Sequence, residues 1–267
     1  MELIKNYLKT IDMHNELINL SDVEVLMKKH LQKLPFCNIP VLLGKDISLD
    51  LSKIIEKMID NKEGGYCFEH NKLIYETLLF YGFNVKALFG RVLLNSKNTD
   101  VPKTHRFTLL IYENEKYLID VGFGFMSPNE PIKFGSTTTK TTLNTSYVIK
   151  ETNKDSFELQ LIRNDIFYTL YSFDLHEYNE MDFEVGNFYS YNHKNANFVN
   201  NLVLSTIADN EIRSLRNNTY YKIFPNNKKE VTIKTLDEFT NILKYDFDYL
   251  IDDKEIKHLF ENFVILK

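Results

Sequence analysis

The chain of 267 residues carries two cysteines, and Met1-Glu2-Leu3-Ile4-Lys5 lacks the basic-then-apolar layout of an export signal. A secreted scaffold stapled by disulfides is excluded, and free thiols in a reducing cytoplasm are expected. Long apolar runs are missing as well. None approaches the roughly 18 residues of a membrane span, so no membrane partner is expected. Charge of one sign is not in excess either: 32 Lys and Arg stand against 37 Asp and Glu, a formal net charge of -5. That balance argues against a nucleic-acid partner. No internal repeat is visible.

What is present suits a sizeable core. Hydrophobic residues make up 43% and aromatics 13%, and the length fits two or three packed units. The first third reads as helical. Ser21 and Glu24 form a capping-box pair ahead of a Val/Leu/Met-rich stretch that ends near Pro35. Leu51, Ile54, Ile55, Met58 and Ile59 share one helical face, with Gly64-Gly65 as the terminator. A third helix runs from Cys67 to about Tyr81 with Cys67, Asn71, Ile74 and Leu78 inward, and Gly82 stops it. Past Gly82 the period changes to two. Val85 to Val92, Phe107 to Tyr112 and Tyr117 to Val121 read as strands, and more are expected between Ser146 and Phe173. The tail mixes strands (Leu202 to Ile207, Val231 to Ile233) with helices over Leu236 to Lys244 and Glu255 to Asn262. The Asn-rich stretch from Asn187 to Asn201 reads as an ordered crossing loop.

Chemistry concentrates in Glu63-Gly64-Gly65-Tyr66-Cys67-Phe68-Glu69-His70-Asn71. Two glycines turn the backbone before a helix whose first residue is a cysteine. Unpaired N–H groups and a partial positive charge at a helix start favour the thiolate, the reactive form of a nucleophile. The alternative is a small buried hydrophobe. His105 enters one strand and Asp120 leaves the next. With a two-residue turn at Glu113-Asn114, Tyr112 pairs with Glu115, and Phe107 faces Asp120. His105 is then one diagonal step away, about 7–8 Å, on the same face. Asp120 can orient His105, and His105 can act as base toward Cys67. Singly, His105 reads as a strand-edge residue and Asp120 as a turn cap.

Taken together, Gly-Gly-Tyr-Cys-Phe-Glu-x-Asn, a strand-initial histidine and Asp120-Val121-Gly122-Phe123-Gly124 resemble the arylamine N-acetyltransferase family. His30-Leu31, Leu34-Pro35-Phe36-Cys37-Asn38-Ile39, Tyr81-Gly82-Phe83 and Gly90-Arg91-Val92 extend the resemblance over roughly residues 25–135. It implies an α+β fold in three parts: a helical bundle (1–84), an antiparallel β-barrel (85–188) and an α/β lid (189–267), with a papain-like Cys-His-Asp triad. By position, Cys67 is the acetylated nucleophile, His105 the base and Asp120 the orienting acid. Phe36, Tyr66 and Phe123 are expected to hold a flat aromatic amine or hydrazine. Gly122, Gly124 and Ser127 are expected beside acetyl-CoA, the co-substrate. No metal is expected, although Cys67 and His70 have Cys-x-x-His spacing.

Two departures stand out. Glu63 replaces the family's arginine before Gly-Gly, and Cys37 replaces the glutamate of its Pro-Phe-Glu-Asn segment. The two are expected to have changed as a unit, which leaves no orphaned buried charge. Arg106, next to the histidine, is expected to alter acceptor preference. The same triad also suits a thiol hydrolase, an amidase or a macrolactam-forming amide synthase. A non-catalytic binding protein on the same scaffold is a further alternative.

Overall fold

The computed structural model describes residues 2–94, 96, 98–135, 139–140 and 145–266. Helices α1 (Glu2–Thr10), α2 (Leu20–Lys33), α4 (Leu51–Ile55) and α5 (Cys67–Phe80) form the N-terminal bundle, with strand β1 (Phe36–Cys37) and the short α3 (Ile39–Leu42) between α2 and α4. A core of Tyr7, Leu26, Met27, Ile54, Met58, Ile74 and others holds them together. α2 starts two residues before the expected pair. Asn19 is its N-cap, accepting from the Asp22 N–H, while the Asp22 carboxylate accepts from the N–H groups of Ile18 and Asn19. Asn followed three residues later by Asp closes the same reciprocal box as Ser and Glu, two residues closer to the preceding loop. α4 continues as a π turn through Asp60 and is capped at Asn61, so it ends before Gly64-Gly65. Lys62, at φ +56°, already turns the chain away.

Eight antiparallel strands follow: β2 (Asn84–Val92), β3 (His105–Tyr112), β4 (Glu115–Ile119), β5 (Ile132–Lys133), β6 (Thr139–Lys140), β7 (Ser146–Asn153), β8 (Ser156–Arg163) and β9 (Ile166–Asp174). Their order is β5-β4-β3-β2-β9-β8-β7-β6, and contacts between β5 and β7 bring the two ends of the sheet together into a nearly closed barrel. Leu88, Phe107, Leu118, Leu159 and Tyr171 fill it. The hairpin β3–β4 has the expected register, Tyr112 opposite Glu115. Glu113 and Asn114 both adopt positive φ (51° and 65°), as a two-residue turn matched to strand twist requires.

Helix α6 (Glu180–Asn192) and the short α7 (Asn197–Asn200) occupy the segment expected to be an ordered loop. It is ordered, but most of it is helical. Asn179 and Asp182 cap α6 reciprocally. Asn187 is buried, accepting from the Tyr66 hydroxyl and donating to the Ile47 carbonyl at 2.8 Å, so its amide has partners inside the protein.

The tail forms β10 (Val203–Ile207), β11 (Ile212–Arg216), β12 (Thr219–Phe224) and β13 (Asn227–Thr232). α8 (Leu236–Asn241) and α9 (Asp253–Leu259), each extended by a π turn, pack on that sheet around Leu204, Leu215, Phe239 and Leu259. β1 pairs with β10 on one side and bridges to Gly65 on the other, so the Gly64-Gly65 turn is tied to the C-terminal sheet. Among the described residues no helix is long and apolar enough to cross a membrane.

Candidate active site

The site forms where α5 meets the β3–β4 hairpin. Gly64 and Gly65 bring the chain past Pro35 and Cys37 at close range. A Cβ on Gly64, already at φ +64°, would lie 2.7 Å from the Pro35 carbonyl and 2.9 Å from the Cys37 Cβ. Tyr66 follows as the N-cap of α5, and the Glu69 carboxylate accepts its N–H at 3.1 Å while pairing with Lys57 at 2.5 Å. Cys67 is thereby the first residue of the helix and is 3% exposed.

Asp120 is fully buried and accepts four hydrogen bonds. His105 Nε2 donates at 2.7 Å and the Tyr171 hydroxyl at 2.9 Å to Oδ2; Asn71 Nδ2 and the Gly122 N–H donate at 2.9 Å each to Oδ1. Burial opposes its ionisation most strongly. The His105 partner and the donors from Asn71 and Gly122 outweigh burial and hold the carboxyl below its ordinary range. Among the described residues His105 Nδ1 makes no hydrogen bond. The ring lies among Phe107, Phe123 and Tyr171, with centroids 5.8, 5.0 and 4.7 Å away.

The Cys67 sulfur lies against the backbone on both sides of His105. Its thiol donates to the Thr104 carbonyl at 3.5 Å, and the Arg106 N–H faces the sulfur. Burial pushes the Cys67 thiol up, and the charge of Asp120 adds to that; the N–H groups of Phe68 and Arg106 pull the other way without prevailing. The helix start thus favours the thiolate, as expected from the sequence, while burial opposes it. Desolvation exceeds what a few peptide N–H groups return, so the proton needs an acceptor.

Cys67 and His105 line one cavity of about 350 Å³, together with Phe36, Gly122, Phe123 and Gly124. Gly122 is required by close approach: a Cβ there would lie 2.4 Å from Asn71 Nδ2 and 2.8 Å from the Cys67 Cα. Two expected contacts lie elsewhere. Tyr66 is fully buried, its ring packed on Phe68 and Phe198 and its hydroxyl on Asn187, because the N-cap conformation turns it into the core. Ser127 does not line the cavity; its Oγ accepts the Phe123 N–H at 2.7 Å and so shapes the loop between them. Arg106 is fully buried and faces away from the cavity, since neighbours along a strand point to opposite faces. Its guanidinium makes two 3.0 Å bonds to Glu180 of α6 and stacks over Phe183.

Asn71 and Tyr171 are partners of Asp120 that the sequence did not single out as site residues. Asn71 had a signal, one turn after Cys67 on the same face; Tyr171, from a strand across the barrel, had none. His70 does not join Cys67 as a chelating pair, because Nε2 donates to the carbonyls of Gly65 and Pro35 and Nδ1 faces His30. Among the described residues no group of three or more His, Cys, Asp or Glu could hold a metal ion.

A family model described as N-acetyltransferase matches residues 19–256. The chain belongs to this family. Curated members of this acyltransferase family to which it is similar include an arylamine N-acetyltransferase from Escherichia coli, 35% identical over 70% of this chain and 66% of that one. An arylamine N-acetyltransferase / N-hydroxyarylamine O-acetyltransferase from Salmonella typhimurium is 32% identical over 72% of this chain and 69% of that one. Among solved N-acetyltransferase structures, the Salmonella typhimurium enzyme superposes with a TM-score of 0.90 at 25% identity, covering 98% of both chains. The Mycobacterium marinum enzyme in complex with CoA gives 0.91 at 24% identity, covering 98% of this chain and all of that one. The fold is therefore the α+β fold of the arylamine N-acetyltransferases.

Proposed function

We propose that this chain transfers the acetyl group of acetyl-CoA to the nitrogen of an arylamine, arylhydroxylamine or hydrazine through an acetyl-Cys67 intermediate. The observation that carries this reading is one cavity wall shared by Cys67 and His105, with the far nitrogen of His105 held by a fully buried Asp120. His105 Nδ1 takes the thiol proton, and the sulfur attacks the thioester carbonyl. The C–S bond to CoA breaks, and CoA leaves with the proton returned by His105. The amine then attacks acetyl-Cys67, His105 accepts its proton, and the thiol is restored. The first-turn N–H of Cys67 supplies an oxyanion donor.

In this reading residues 1–84 carry the nucleophile, 85–188 the base and acid, and 189–267 cover the site. Phe36 and Phe123 hold the aromatic ring, and Gly122 and Gly124 leave room for the thioester beside the sulfur. Intact-mass measurement after mixing with acetyl-CoA tests the intermediate: one acetyl group is expected on wild type and none on Cys67→Ser. Turnover is expected to accelerate when an aromatic amine is added. Release of free acetate at a rate indifferent to amine would instead identify a thiol hydrolase.

A further inference from the structure

One turn along α5 from the nucleophile lies a second buried chain of polar groups. The Tyr7 hydroxyl of α1 is 2.7 Å from His30 Nδ1 of α2. His30 Nε2 is 2.6 Å from His70 Nδ1 of α5. His70 Nε2 is 3.0 Å from the Gly65 carbonyl and 3.2 Å from the Pro35 carbonyl. Tyr7 and His30 are fully buried, and His70 is 1% exposed.

Chemistry allows one proton arrangement for the neutral chain. Two carbonyl oxygens face His70 Nε2, so that nitrogen carries hydrogen. The bare Nδ1 of His70 must then accept, and its partner, His30 Nε2, must donate. His30 Nδ1 is left bare and accepts from the tyrosine hydroxyl. Donation therefore runs one way, Tyr7 to His30 to His70 to Gly65, with every group satisfied and no proton to spare. The charged groups that act on His70 are Lys57, which disfavours a cationic ring, and Asp120, which favours one; neither hydrogen-bonds to it.

The chain ends where the site is assembled. The Gly65 carbonyl also accepts the Cys37 N–H at 2.6 Å, and the Pro35 carbonyl accepts the Gly65 N–H at 3.3 Å. His70 thus staples both sides of the crossing between β1 and the turn into Cys67. Its ring also stacks on Phe36, with centroids 6.0 Å apart and planes at 15°, and Phe36 lines the cavity. We propose that Tyr7, His30 and His70 are positioning residues for acetyl transfer: a one-way neutral hydrogen-bond chain that fixes Phe36 and the Gly65–Cys67 turn relative to each other. The proposal rests on the acetyltransfer reading for its kinetic consequence, and on Cys67 alone for its structural one.

The test uses the full-length protein. Side-chain nitrogen NMR at pH 7 is expected to show both rings neutral, His30 and His70 each protonated on Nε2 only. His70→Leu, which removes the staple, is expected to lower kcat/KM by about 10- to 100-fold, as misplaced reacting groups do. It is also expected to change the rate of Cys67 alkylation by iodoacetamide, read at that peptide by mass. His70→Gln can still donate to Gly65 and accept from His30, and is expected to recover kcat/KM to within about threefold of wild type. A charged or Nδ1-protonated ring at pH 7 overturns the proposal, and this measurement needs no variant to fold. So does a His70→Leu protein with unaltered kcat/KM and alkylation rate, or a His70→Gln protein no better than His70→Leu. If wild type transfers no acetyl group, the acetyltransfer reading fails, and the NMR and alkylation results still decide the chain's role at Cys67.

Discussion

Two buried histidines, His70 on helix α5 and His105 at the start of β3, differ in what stands behind each ring. Behind His105 is Asp120, a carboxylate with four donors and a lowered pKa. Behind His70 are two peptide carbonyls. A carboxylate balances a proton placed on its imidazole; carbonyl oxygens accept a hydrogen bond but do not neutralise a buried cation. Burial accordingly pushes His70 down to about 4, and His30 well below its ordinary value. On the proposed reading, one couple takes up a proton at the cavity wall and the other holds shape while uncharged. The same side chain thus serves opposite ends at positions 70 and 105, and the difference lies in the terminal acceptor.

The most severe way to break the first couple is Asp120→Asn. It removes the charge and sets the His105 tautomer wrongly, and kcat is expected to fall by about 10⁴-fold with binding of CoA largely retained. Steady-state kinetics against a CoA-binding isotherm check this. Gly122→Ala, which drives a methyl group into Asn71 and the Cys67 backbone, is expected to destabilise by about 2 kcal/mol or more in urea melts and to depress acetylation of Cys67.

Acidification separates the two couples by pH. His70 and His30 are neutral in the fold but protonate in the unfolded chain below about 6.5, so the unfolded state gains protons first. Their contribution to stability is complete above that value and drains away as pH falls; for His70 the loss runs down to about 4 and reaches about 3 kcal/mol. Asp120 has the opposite charge type. Its lowered pKa leaves its contribution intact above about 3.9, to be lost only as pH falls through the folded-state value. Urea midpoints between pH 7 and 4 are therefore expected to slope for wild type and to flatten for His70→Gln, whereas Asp120→Asn lowers them by a constant amount across that window and keeps the slope.

How far this contrast was legible in the sequence depends on the range of each interaction. The β3–β4 register follows from a two-residue turn and alternation, both local, so the sequence alone puts His105 and Asp120 on one face. Asn71 was within reach for the same reason. The pairing of Arg106 is not legible because its partner, Glu180, is 74 positions away, at the start of a helix that runs into the Asn-rich stretch. The His30–His70 contact spans 40 residues, and no periodicity connects those rings. Asn19 displaced Ser21 as a cap because several nearby polar residues satisfy the same rule and only the loop geometry chooses among them.

Arg106 and Glu180 give a smaller expected effect. Glu180→Ala strands a fully buried guanidinium and is expected to cost about 3 kcal/mol, more than Arg106→Met, whose remaining carboxylate is half exposed and keeps Lys72 as a partner. Thermal melts of the two variants check that order. The smallest effect concerns the departures at Glu63 and Cys37. Glu63 pairs with Lys45 at 3.1 Å, and the Tyr249 hydroxyl, hydrogen-bonded to the Glu63 carbonyl at 3.0 Å, also hydrogen-bonds to the buried Cys37 thiol. Glu63→Arg meets no carboxylate at Cys37, so it is expected to leave the melting temperature unchanged or lower by less than about 1 kcal/mol equivalent. A clear rise would show that a partner for arginine survives here.

The exposed tip at Glu113-Asn114 looks like a place where a residue could be added or lost without penalty. Because strand side chains alternate, a change of one in that count would send the carboxylate of Asp120 to the opposite surface of the sheet from the imidazole of His105. A change of two would keep both on one side but slide them apart by the length of a dipeptide. The spacing of an acid and a base in the protein's interior is thus set at a solvent-washed bend that touches neither, and surface position alone is a poor guide to where this chain tolerates insertion.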